Sequence, residues 1–237
     1  MYFRGQVHSP HALLEIADRR YEGITPVNIF GFNRIIGSTY ETIWNNGGLY
    51  SYPSSAAQLS VVSSNAADTM SVLINGLDAD YNIIYDVVTL NGVTPVTTTN
   101  SFLRVNSAVI LSGSNVGNIS ITNGADVVGY IEAGIGTTQA CVYTVPAGHT
   151  LFLFRISLTS GTVNSNKYIT YRNRIDSSNG RVLRVAEATF QINQQNFDRQ
   201  VPFRIEEKTD FQFEAKSSSG ENEVSIFVEA LQMYNEA

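Results

Sequence analysis

Five Asn-Gly pairs, at Asn46-Gly47, Asn75-Gly76, Asn91-Gly92, Asn123-Gly124 and Asn179-Gly180, punctuate a chain in which apolar residues repeatedly recur at every second position. Asn-Gly tolerates the positive φ angles that a tight turn between antiparallel strands requires. Alternation at period two places one set of side chains in a core and the other in water. Phe211, Phe213 and Ala215 interleave with Asp210, Gln212, Glu214 and Lys216, and Val224, Ile226, Val228 and Ala230 interleave with Glu223, Ser225 and Glu229. Val201, Phe203 and Ile205 do the same with Gln200, Arg204 and Glu206. Leu151-Phe152-Leu153-Phe154 is a continuous apolar run, the pattern of a strand covered on both faces. Asn91-Gly92, between Val87-Val88-Thr89-Leu90 and Val93-Thr94-Pro95-Val96, carries the clearest hairpin signal. About a dozen strands at this spacing suit a sandwich or a jelly roll, so the chain is expected to be all-β.

The first 23 residues are different in kind. Ser9 can cap a helix with Pro10 in its first turn, and Leu13, Ile16 and Ala17 then share one face. Arg19 and Arg20 come last, where cations suit the helix dipole. A helix this short is marginal alone and needs a surface to dock on. The Gly-rich stretch 124–136 is the best internal boundary. The expected organisation is an N-terminal arm with a short helix over 1–23, a first β-sandwich over 24–123, a connection over 124–136, and a second, jelly-roll-like sandwich over 137–237.

Composition narrows the function. Charged residues make up 15% of the chain against about 25% in an average domain, and the net charge is −6. No basic stretch forms a nucleic-acid footprint, so no specific nucleic-acid binding is expected. No window is long and apolar enough for a membrane span, and Met1-Tyr2-Phe3-Arg4-Gly5 lacks the apolar region of a signal peptide. Lysines number three, while Tyr and Phe number twelve each, a balance that favours interfaces. Cys141 stands alone and reads as a small buried residue.

No catalytic constellation emerges. His8 and His11 are three apart without a third ligand, and His149 follows the turn Val145-Pro146-Ala147-Gly148, so neither the paired nor the distant histidine of a cupin-type metal enzyme is present. Asp78-Ala79-Asp80-Tyr81-Asn82 resembles the start of a calcium loop, but Ile83 and Thr89 stand where that loop needs Gly and Glu. It reads as a polar turn, with Asp86 close by. Glu206, Glu207 and Asp210 read as a solvated face rather than a hydrolytic pair. The expectation is a protein that is not an enzyme and carries neither cofactor nor metal.

Two segments carry a resemblance. The first runs from Ser60 to Thr122 and centres on Asn75-Gly76-Leu77-Asp78-Ala79-Asp80-Tyr81-Asn82, on Val87 to Asn106, and on Gly117-Asn118-Ile119-Ser120-Ile121. The second joins Val142 to Leu151 with Pro202 to Phe211. Together they resemble virion structural proteins of marine tailed bacteriophages, including podovirus-like phages of cyanobacteria. The resemblance implies a particle component without catalytic residues, made in the host cytoplasm and located in the virion. Its partners would be capsid, portal or tail proteins and further copies of itself.

Two functional readings follow. In the first, the sandwiches are building blocks of a virion, as capsid decoration or as a head–tail or tail-associated protein, and the arm hooks onto a neighbour through Tyr2, Phe3, Leu13, Ile16, Arg19 and Arg20. In the second, Trp44, Tyr50 and Tyr52 form a stacking platform for a cell-surface glycan. Trp44 is an interaction candidate in both, since an exposed or interface tryptophan anchors contacts well.

Overall fold

The computed structural model describes residues 12–18, 20–161, 167–176, 182–191 and 193–235, with backbone alone for 12, 13 and 182–186. After the short helix α1 (Ala12–Ala17), every named element is a strand: β1 (Ile24–Ile36), β2 (Glu41–Thr42), β3 (Ala57–Ser63), β4 (Ser71–Leu77), β5 (Ile83–Thr89), β6 (Val96–Phe102), β7 (Arg104–Ile110) and β8 (Ile119–Asn123). There follow β9 (Asp126–Ile131), β10 (Val142–Thr144), β11 (His149–Ser160), β12 (Ile169–Asp176), β13 (Val182–Phe190), β14 (Gln194–Ile205), β15 (Asp210–Ser217) and β16 (Asn222–Tyr234). The chain is all-β.

One sheet has the order β1-β16-β11-β14 and faces a second, β10-β15-β12-β13, to which β2 adds by pairing with β15. Because β12 occupies one side of β15, β2 and β10 share the other. Thr42 lies opposite Glu214, and Val142 opposite Gln212. Between them Phe213 changes partner: its carbonyl accepts from the Ile43 N–H (2.9 Å), and its own N–H donates to the Cys141 carbonyl (3.1 Å). The two segments therefore behave as one interrupted strand. Counted so, the two sheets are the two four-stranded layers of a jelly roll. Its core holds Ile29, Leu151, Leu153, Phe211, Phe213, Ile226 and Val228. Here β16 alternates as the sequence promised, whereas β15 turns Phe211 and Phe213 inward but has Asp210, Gln212 and Glu214 buried as well, and Val201 of β14 is exposed rather than inward.

Into the interruption, between Trp44 and Ala140, the chain inserts a complete second sandwich. Its sheets are β6-β3-β8-β9 and β5-β4-β7. They enclose a separate core of Leu59, Val61, Val72, Ile74, Phe102, Ile119, Ile121 and Ile131. Trp44 and Ala140 form an antiparallel bridge where the chain leaves and returns.

Strand pairing thus crosses the boundaries expected from sequence. β1 and β2 precede the Gly-rich stretch yet belong to the sheets of the C-terminal strands, and 124–136 contains β9 rather than a linker. The reason is packing. β16 is apolar on its inward face and lies centrally, and β1 supplies its second neighbour, with Ile29 opposite Val228. Gly31 makes the closure possible, because a Cβ there would lie 2.3 Å from the Ile43 carbonyl oxygen and 2.6 Å from the Cys141 Cβ.

The Asn-Gly pairs divide by context. Asn123-Gly124 turns β8 into β9 as a true hairpin, with Asn123 opposite Asp126 and Gly124 at φ 60°. Asn91-Gly92 does turn, through the Thr94 N–H donating to the Asn91 carbonyl (3.0 Å). Its flanking strands, however, join different sheets, so it is a corner and not the expected hairpin. Asn75-Gly76 lies inside β4. Glycine is needed there because a Cβ would meet the Arg104 carbonyl oxygen at 2.0 Å. Asn179-Gly180 lies outside the described residues, as do Ser9 and Pro10.

Because the inserted sandwich has its own core, residues 55–133 expressed alone should fold. Circular dichroism should give a β spectrum and a cooperative melt. A featureless, non-cooperative melt would mean that its core depends on the jelly roll.

Candidate functional site

The two sandwiches meet at a polar joint centred on Arg104, the first residue of β7. Its guanidinium grips Asp210 of β15 with two parallel bonds, Nε to Oδ1 and Nη2 to Oδ2, both 2.8 Å. Nη1 donates to the carbonyls of Pro53 (2.6 Å) and Leu103 (2.9 Å). The Thr144 hydroxyl donates to Asp210 Oδ1 at 2.5 Å. The guanidinium lies 5.1 Å from the ring centroid of Tyr52 and 5.7 Å from that of Tyr81. The two side chains are only 8% and 11% exposed, so the pair is a desolvated bidentate contact whose donors and acceptors are met from both sandwiches. Asp210 therefore belongs to the joint and not to a solvated acidic face.

An aromatic cluster seals the joint on one side. Trp44 packs edge-on to Tyr50 (5.1 Å between centroids), and Tyr50 edge-on to Tyr52 (4.9 Å). The Trp44 indole donates to the Gly48 carbonyl, Tyr50 to the Val128 carbonyl, and Tyr52 to the Phe211 carbonyl. Burial pushes the phenols of Tyr50 and Tyr52 up, which keeps both as donors. With Trp44 2% and Tyr50 5% exposed, the stacking platform expected for a glycan is turned inward. Trp44 anchors the joint within the chain. Two further ties reach across: Arg34 on β1 to Glu132 (2.8 Å), and Asn106 on β7 to the backbone of Thr144.

The end of the inserted sandwich away from the joint is organised by Asp68, which is fully buried. It accepts from the Ser63 hydroxyl (2.5 Å) and from the N–H groups of Val116 (2.8 Å) and Gly117 (2.9 Å). Its carbonyl accepts from the Gly92 N–H (2.9 Å). The carboxylate so ties the start of the 64–70 loop to the 111–118 loop, and the backbone carbonyl of the same residue holds the 90–95 loop. Burial alone would push the carboxyl up, but the hydrogen bonds from Ser63, Val116 and Gly117 outweigh it and hold it below the usual carboxylate range. At the surface of these loops stand Val93, Leu111 and Val116.

The remaining candidates are spread out. Asp78 caps its own turn, accepting from the N–H groups of Asp80 (2.8 Å) and Asn82 (2.9 Å), and Asp86 accepts from those of Thr99 (2.6 Å) and Asn100 (3.0 Å). Both carboxylates serve the backbone. Glu207 accepts from the Gly148 N–H, while Glu206 pairs with Arg204 at the surface. His149 touches the Ala147 carbonyl through Nδ1 and stands edge-on to Tyr234. Among the described residues, no group of three or more His, Cys, Asp or Glu side chains could hold a metal ion. Cys141 is buried, which pushes its thiol up.

Of the arm, Tyr2, Phe3, Arg19, His8, His11 and the side chain of Leu13 lie outside the described residues. Ile16 is buried, Leu14 is 67% exposed, and α1 packs near β1. Arg20 pairs with Asp18 at the surface, and Tyr21 donates to Glu15 (2.7 Å).

No family model matches the chain, and no curated protein matches it. Among solved structures, a chain of the infectious bursal disease virus Gt strain aligns over 90% of this chain and 73% of its own at 11% identity, with a TM-score of 0.24. A subviral particle of that virus's VP2 aligns over 91% and 78% at 9% identity, with a TM-score of 0.21. Scores this low carry no inference about common structure or role.

Arg104→Ala should cost about 3 kcal/mol or more in urea unfolding, because Asp210 is left buried and unpaired. A loss below about 1 kcal/mol would show the pair to be a solvated contact. Asp68 gives a separate test. Its carboxyl is held low in the folded state, so its contribution is complete above the unfolded value near about 3.9 and is lost as pH falls through the folded one. Asp68→Asn should lower stability at neutral pH and flatten the loss on acidification below about pH 4. An unchanged acid slope would remove Asp68 from that role.

Proposed function

We propose that this chain is a non-enzymatic structural component of a tailed-phage virion, assembling in multiple copies as capsid decoration or as a head–tail or tail-associated protein. The observation that carries the reading is the inserted sandwich, locked by a buried bidentate ion pair onto a jelly-roll base. Such a body is a rigid two-part block. Among the described residues, the hydrogen-bonded polar groups at the joint and the loops are directed inward. Jelly rolls serve as bricks in many viral shells, which makes this base suited to the role. The resemblance of Ser60–Thr122, and of Val142–Leu151 with Pro202–Phe211, to marine phage virion proteins points the same way. The arm would supply a contact to a neighbouring capsid, portal or tail subunit, with the exposed Leu14 on its helix available to a partner.

Gradient-purified particles of the encoding phage should contain this chain in many copies by quantitative mass spectrometry. A chain lacking residues 1–23 should still fold and be missing from those particles. Recovery of the intact chain from the soluble lysate alone would overturn the virion reading. Normal incorporation of the truncated chain would remove the arm from it.

A further inference from the structure

β14 and β13 are the last strands of the two jelly-roll sheets, and a cavity of about 370 Å³ opens between those sheets on their side. Its walls come from four strands: Ile156 and Leu158 on β11, Phe197 on β14, Tyr171 on β12 and Phe213 on β15. Register explains the space. The position opposite Tyr171 on β13 is Ala188, which is too small to reach across. On β14 the irregular stretch after Asp198 leaves Val201 79% exposed instead of filling the layer. Protein interiors are close-packed, and an opening of this size with apolar walls and a few polar groups has the character of a small-molecule site. The polar groups are few. Asn173 lies opposite Phe213 and so points between the sheets. The charged side chains lining the cavity are Arg172, Asp198 and Arg199. Arg172 is committed to Glu214, and Asp198 to Arg155 (2.5 Å). Among the described residues no carboxylate meets Arg199, whose guanidinium lies 5.5 Å from the ring centroid of Phe203.

We infer that this cavity binds a small amphiphilic acid, an apolar chain carrying one carboxylate. Charge selects the head group. With Arg172 and Asp198 each paired, Arg199 leaves the site one surplus positive charge in a chain whose net charge is −6. A guanidinium meets a carboxylate with two parallel bonds, whereas an ammonium head would face its like. The walls select the body. An inorganic anion would gain from Arg199 alone and leave Ile156, Leu158, Phe197 and Phe213 in contact with water. The sheets of a sandwich lie about 10 Å apart, a gap that admits an alkyl chain laid between them with its carboxylate at the open side. This site is independent of the virion reading, and its chemistry is measurable on the purified chain.

The test is calorimetric titration of the full chain with octanoate, 1-octanol and acetate. Octanoate should bind once per chain. Its affinity should exceed by at least about tenfold that of 1-octanol, which lacks the anion, and that of acetate, which lacks the body. Arg199 is exposed, so Arg199→Gln should leave the fold intact. It should weaken octanoate to the level of 1-octanol and leave 1-octanol itself unchanged. Ala188→Leu should fill the space and abolish both. Absence of octanoate binding to the full chain overturns the site, and if binding then appears on removing residues 1–11, the arm is the occupant. Equal affinity for octanoate and 1-octanol overturns it too. So does octanoate binding that survives Ala188→Leu in a folded chain, since that marks adsorption to exposed apolar surface. Should Ala188→Leu not fold, the contrast between the two ligands in Arg199→Gln decides alone. A chain that enters particles but binds no octanoate would defeat this site and leave the virion reading standing.

Discussion

The arrangement of the two sandwiches depends on Arg104 meeting Asp210. A bidentate guanidinium–carboxylate pair fixes both distance and angle, which a lysine could not do. The pair is met further on both sides: Pro53 and Leu103 accept from the guanidinium, and Thr144 donates to the carboxylate. Such additional bonds are what a buried pair requires, since its desolvation cost is offset only when the geometry is good and further hydrogen bonds are made. The pair also draws on both bodies at once. Arg104 and Leu103 belong to the insert, Asp210 and Thr144 to the jelly roll, and Pro53 to the segment between β2 and β3. Rotating one sandwich against the other would break both bonds between Arg104 and Asp210 together.

The insertion makes that rigidity structural. A sandwich on a single linker could swing, but this one is held where the chain leaves at Trp44 and where it returns at Ala140, and the two crossings are bridged to each other. Since Phe213 hands its hydrogen bonds from Ile43 to Cys141, the sheet continues almost as though no insertion existed. The aromatic cluster then fills the angle above this seam. Trp44 thus has a role set by its place at the exit, and its indole is committed to Gly48.

Local chemistry made much of this legible. Period-two alternation identified the core faces of β15 and β16, and the β-rich class followed from it. The turn at Asn123-Gly124 was equally plain. Partner choice was not legible, because alternation reports which face of a strand is buried and is silent on which strand lies beside it. That is why β1 was grouped with its sequence neighbours rather than with β16. Asn75-Gly76 misled for a related reason: its glycine answers a close approach by the Arg104 backbone, a demand that arises only after folding. Arg104 itself had one signal, a lone cation in a long stretch otherwise bearing only aspartates. In a segment so poor in charge, an isolated arginine marks a place where a charge is structurally required. Trp44 carried the opposite ambiguity, since stacking platforms and buried anchors use the same residue types.

A protein that assembles as proposed must invite one contact and refuse others, and the two bodies differ in what they leave open. In the jelly roll the exposed edge strand β14 is spoiled for pairing. Between the pairs Leu153–Phe203 and Arg155–Asp198, β14 has Arg199, Gln200, Val201 and Pro202 where β11 has only Phe154. A bulge with a proline and a charge in it denies a neighbouring strand the regular ladder it would need. The insert has no comparable open edge along β5, because Asp86 and Asn100 stitch β5 to β6 across the gap between its sheets. What stays open is the part of the β5-β4-β7 face away from Arg104, where Ile83, Tyr85, Val87 and Leu111 are exposed. Edge pairing is promiscuous because it uses backbone that every strand presents, whereas face packing reads side chains. A block that assembles as proposed gains from closing the first route and leaving the second.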